Sequence, residues 1–67
     1  MNIKVYKPTK TKGYKLKFSY QVNLKEDLDF MFRAVGGYIG ATKGAIINID
    51  GTSRILTNNG WLNTNLI

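Results

Sequence analysis

Residues 14 to 22, "YKLKFSYQV", alternate without interruption: Tyr14, Leu16, Phe18, Tyr20 and Val22 fall on one side, Lys15, Lys17, Ser19 and Gln21 on the other. A period of two sustained over that length predicts a half-buried β-strand. A shorter form of the same pattern stands before it, with Ile3 and Val5 inward and Asn2, Lys4 and Tyr6 outward. Between them "KPTKTKG" is punctuated by Pro8 and Gly13 and reads as a loop. The start of the chain therefore predicts an antiparallel hairpin, residues 2 to 7 against 14 to 22.

The period then changes. Leu24, Leu28, Met31, Phe32 and Val35 recur at helical spacing as one apolar stripe and predict a helix over residues 24 to 35. Asn23 stands at a capping position with Glu26 three residues on, and the acids Glu26, Asp27 and Asp29 suit the positive end of the helix dipole. Asp29 and Arg33, four apart, form an expected surface pair. Gly36 or Gly37 is expected to end the helix in a left-handed conformation.

No helical period follows. "AIINID" and "SRILT" flank Asp50-Gly51, a strong hairpin signal. "NNG" at residues 58 to 60 marks another turn, before a short strand through Trp61, Leu62 and Thr64. Tyr38 to Ala41 fits either a strand or an irregular connector. The resulting order is β-β-α-β-β, with a fifth strand at the end: an α+β domain in which a small antiparallel sheet of four to five strands carries one helix on a face. The expected core comprises Ile3, Val5, Leu16, Phe18, Tyr20, Leu28, Met31, Phe32, Val35, Ile47, Ile49, Ile55 and Leu62.

Length changes the picture little and charge changes it more. At 67 residues the chain is read as a single small domain, residues 1 to 67, near the lower limit for folding without staples. So small a core makes homodimerisation a natural way to bury more surface. The formal net charge is +6, and Lys4, Lys7, Lys10, Lys12, Lys15 and Lys17 all precede the first acid, Glu26. This asymmetry points to a polyanionic or acidic partner, nucleic acid or an acidic protein surface. Lysine on a strand edge also discourages strand-to-strand aggregation, which is the competing structural explanation.

Chemistry is poorly supplied. With no histidine and no cysteine, the commonest bases and nucleophiles, disulfides and the usual zinc sites are all missing. Four carboxylates, Glu26, Asp27, Asp29 and Asp50, are too few and scattered for a persuasive metal site. "GGYIGATKG" combines glycines with Lys43 but lacks P-loop spacing, and it follows a helix where a phosphate loop should open one. The expectation is a protein without catalytic residues, metal or cofactor. No membrane span is expected either, since Arg33, Lys43 and several glycines interrupt the most apolar stretch. The absence of cysteine fits the cytoplasm. Heavy use of Asn, Lys and Ile, whose codons are AT-rich, hints at a small gene of an AT-rich bacterium or its phage.

Two functional readings remain. In the first, the hairpin binds nucleic acid with weak sequence specificity: Lys4, Tyr6, Lys15 and Lys17 share its outward face and Lys7, Lys10 and Lys12 its loop. Lysines would neutralise phosphates and Tyr6 would stack on a base. In the second, a small module encoded by a phage or mobile element modulates a host enzyme or nucleoprotein complex through exposed Phe30, Arg33, Tyr38 and Trp61. For Trp61 the plainer expectation is that it closes the open end of the core.

Overall fold

The computed structural model describes residues 1–23 and 25–67. Their elements run β1 (Asn2–Pro8), β2 (Tyr14–Gln21), α1 (Leu28–Ile39), β3 (Ile46–Ile49), β4 (Thr52–Thr57) and β5 (Gly60–Asn63). The five strands form one antiparallel sheet in the order β2-β1-β3-β4-β5. This is the expected α+β architecture, with its fifth strand present. α1 covers one face of the sheet, and among the described residues no helix lies on the other.

The core lies under α1. Ile3 and Val5 of β1 and Ile47 and Ile49 of β3 meet Met31, Phe32 and Val35 of the helix, with Tyr20, Val22, Leu28, Ile39 and Trp61 packed around them. Complete burial of side chains such as Phe32 and Ile47 contributes about 1.5–3 kcal/mol each. The Asp50-Gly51 hairpin forms as its sequence requires, both residues at positive φ, 51° and 92°. Asp50 also accepts the Asn2 N–H at 2.7 Å, tying this turn to the start of β1.

The helix is displaced from its expected span. Asp27, not Asn23, is the cap, and its side chain accepts the Phe30 N–H at 2.9 Å. The reason is the distance to be crossed. Asp29 pairs with Arg54 on β4, three strands from β2, so the chain leaving β2 must first cover about 14 Å. A helix rising about 1.5 Å per residue gains too little length for that, and Asp27 at the cap is itself extended, φ −66° and ψ 155°. The stripe position expected at Leu24 lies outside the described residues. At the other end Gly36 and Gly37 are helical, and Gly40 at φ 65° terminates α1, its N–H directed to the Gly36 and Gly37 carbonyls. Tyr38 is therefore a helix residue.

A β-bulge alters the hairpin more deeply. Val5 pairs with Phe18, but Tyr6 pairs with Leu16, which leaves Lys17 without a partner across the ladder. The alternation of β2 is thereby split. Phe18 and Tyr20 stay on the helix side beside Val5 and Ile3, whereas Leu16 joins Tyr6 on the open face. Leu16 is accordingly 46% exposed rather than core, and Phe18, at the outer strand, is also 46% exposed. Ile55 and Leu62 pair across the open face as well, Ile55 half-buried and Leu62 47% exposed. The register runs Leu16, Tyr6, Ile46, Ile55, Leu62 across all five strands. Only the central Ile46 of that row is fully buried.

Candidate nucleic-acid interface

The six hairpin lysines do not share one face. Lys4 lies on the open face between Ser19 and Asn48. Lys7 belongs to β1 rather than to the loop, and it stands directly across from Lys15. Both lie on the helix side, two positions beyond the Val5–Phe18 pair on β1. Lys17 occupies the bulge, and Lys10 and Lys12 the exposed tip. The expected grouping of Tyr6 with Lys15 and Lys17 is thus replaced by Tyr6 with Leu16 and Ile46, where the ring is half-buried in the apolar row.

The tip is a compact turn. The Thr9 N–H donates to the Gly13 carbonyl at 2.9 Å, and the Gly13 N–H to Thr9 Oγ1 at 3.2 Å. Lys12 takes a φ of 67°, the left-handed region that lysine seldom enters.

Three of the four acidic side chains are engaged elsewhere. Asp27 caps α1, Asp50 holds the Asn2 N–H, and Asp29 pairs with Arg54. The expected Asp29–Arg33 pair does not form as such, because Arg54 reaches Asp29 from the sheet and donates the hydrogen bond. That hydrogen bond and the guanidinium's charge hold the Asp29 carboxyl below its ordinary value, with a smaller contribution from Arg33. Among the described residues the Asp29–Arg54 contact is the single ion pair, so none of the hairpin lysines is paired. Arg54 is itself a structural residue: it lies 4.8 Å above the Phe32 ring centroid and donates Nε–H to Asn63 at 3.0 Å.

Trp61 and Tyr38 stand on opposite flanks of α1. Trp61 packs against Phe32, with ring centroids 5.9 Å apart, and closes the core as expected. Arg33 lines a shallow groove beside it with Asp29 and Arg54. Phe30, three residues before Arg33 and eight before Tyr38, stands between the two flanks on the outward side of the helix, and Tyr38 lies on the opposite flank. There Tyr38, Phe18, Tyr20 and Ile39 line a groove of about 550 Å³ between the helix and β2. Tyr38 is 88% exposed. Partial burial pushes the Tyr20 hydroxyl above its ordinary value, and the neighbouring Tyr38 hydroxyl adds to the shift.

Phe18 and Tyr20 were absent from the expected site. Alternation along β2 already marks both as inward, but as core; what it does not show is that α1 runs on through Tyr38 and Ile39, which form the other wall of the groove. Comparison with protein-family models, with curated proteins and with solved structures finds no match to this chain. Among the described residues, no helix is long and apolar enough to cross a membrane.

Proposed function

We infer that this is a small, non-catalytic nucleic-acid-binding protein whose lysine-rich β1–β2 hairpin holds phosphate backbones with little sequence preference. The observation that carries this reading is the Lys7–Lys15 cross-strand pair, amid hairpin lysines that have no acidic partner among the described residues. Like charges placed directly opposite each other destabilise a ladder. A phosphate between them would turn that repulsion into attraction and release counterions. Sequence preference is expected to be slight because lysine offers a point charge rather than a bidentate fork, and Arg54 is engaged in the fold.

The competing reading, a module that modulates a host enzyme or nucleoprotein complex, has less support: Tyr38 and Trp61 lie on opposite flanks of α1, so the four residues it would use do not form one patch. Homodimerisation remains part of the proposal for a specific reason. The open-face row from Leu16 to Leu62 is the surface a second copy would cover, which would place two hairpins on one polyanion. The cytoplasm is the compartment this reading assigns.

The test is a fluorescence-anisotropy titration with mixed-sequence single and double strands near ~0.15 M salt. Reversal of Lys10, Lys12, Lys15 and Lys17 to Glu should abolish binding while the circular dichroism spectrum is retained, since all four side chains are exposed. Affinity of the unaltered protein should fall steeply with salt. An absence of binding at tens of micromolar would overturn the reading.

A further inference from the structure

The aromatic groove and the lysine pair lie on the same, helix-side face along β2. Tyr20 and Phe18 line the groove, Lys17 bulges next, and Lys15 follows opposite Lys7. Three residues of strand separate Phe18 from Lys15, about 10 Å. Three of the four groove-lining residues are aromatic, which favours flat ligands over the branched aliphatic side chains of a protein partner. β2 is also an outermost strand, so its outward N–H and C=O groups are free of sheet partners.

We propose that this groove accepts the unpaired bases of a single-stranded nucleic acid, stacked on Phe18 and Tyr38, while Lys7, Lys15 and Lys17 hold the adjoining phosphates. The inference rests on the hairpin reading and deepens it from nucleic acid in general to a single-stranded ligand. A duplex keeps its bases stacked on one another and presents only its backbone to the lysines. A single strand offers free π-faces as well, so only the single strand uses the groove. The groove volume of about 550 Å³ lies within the range of small-ligand pockets. Tyr6, half-buried between Leu16 and Ile46, lies on the open face of the sheet, opposite the groove, and has no part in this stacking site.

The experiment compares one mixed-sequence oligonucleotide, single-stranded and annealed to its complement, against the unaltered protein, Tyr38→Ala and Phe18→Leu. Tyr38 is 88% exposed, and leucine keeps the apolar volume at Phe18, so thermal melts should show both variants folded. The expected result is single-strand affinity lowered roughly 5- to 150-fold by loss of a stacking ring, with duplex affinity unchanged. If the unaltered protein binds both strands and the two variants alter neither, or weaken both equally, the groove assignment fails and the hairpin reading stands. If it binds no oligonucleotide, both fall. Tyr38-dependent binding of an acidic peptide with alternating leucine and glutamate would then assign the groove to a protein partner.

Discussion

Lys12 carries backbone strain at the hairpin tip, where its φ of 67° costs an L-residue about 1–2 kcal/mol. Glycine would relieve this, less the entropy it loses on folding. Lys12→Gly is therefore expected to raise stability by ~0.5–1 kcal/mol in urea denaturation. If the tip contacts phosphate, the same change should weaken nucleic-acid binding evenly across sequences and lower the salt slope by about one. A variant that is both more stable and fully competent in binding would remove Lys12 from the interface. Asp29 gives a pH signature of known sign. Its carboxyl is held below the ordinary value of 3.8 by Arg54. The folded state therefore binds protons less readily than the unfolded chain. The stabilisation is present above the ordinary value and is lost as pH falls through the lowered one. Urea midpoints measured from about pH 5 down to about pH 2 should decline, and Asp29→Asn should flatten part of that decline.

At the scale of elements, the helix shows why a glycine pair can be misread. Gly36 and Gly37 follow the apolar stripe and have the form of a stop signal, yet both lie inside α1. Gly36 faces Trp61, where a Cβ would come within 2.6 Å of the indole ring, so glycine there serves close packing. Gly37 meets nothing. Opposite outcomes follow for the same substitution at adjacent residues. Gly36→Ala should cost about 1–3 kcal/mol through overpacking. Gly37→Ala should gain about 0.5–1 kcal/mol from helix propensity. Equal effects in denaturant titrations would contradict this packing.

Element order was legible because the hydrophobic period changes cleanly from two to that of a helix and because Asp50-Gly51 is a strong turn signal. The bulge at Lys17 was not legible. Polar and apolar residues continue to alternate through it, and only pairing with β1 reveals that Leu16 and Phe18 face opposite ways. For the candidate site, the lysines could be read from charge alone. The groove could not, since Phe18 and Tyr20 read as inward core residues and the wall opposite them needs Tyr38 inside a helix whose glycine pair has the form of a stop.

Charge is unevenly distributed over the whole molecule. Asp50 bonds to Asn2 at the start of β1, while the lysine tip follows Pro8 at its far end. With a net charge of +6 and no ion-paired hairpin lysine among the described residues, screening has repulsion to relieve at the hairpin and one exposed ion pair to weaken. Stability should therefore rise with ionic strength, the reverse of a fold held by surface ion pairs. Relief of the Lys7–Lys15 opposition alone is of the order of ~0.5 kcal/mol, which in a domain of this size raises Tm by about 2–4 °C. Thermal melts in about 10 mM and about 300 mM sodium chloride read this directly, because the Debye length shrinks from ~30 Å to well under 10 Å. Lys15→Glu removes the repulsion covalently, so its Tm should exceed that of the unaltered protein in low salt and converge with it in high salt. A polyanion such as heparin should do more than simple salt at equal ionic strength, since a ligand bound to the folded hairpin stabilises it by mass action. A Tm that falls with salt in the unaltered protein would mean that the lysines are neutralised within the fold, and the polyanion would lose its reason to bind.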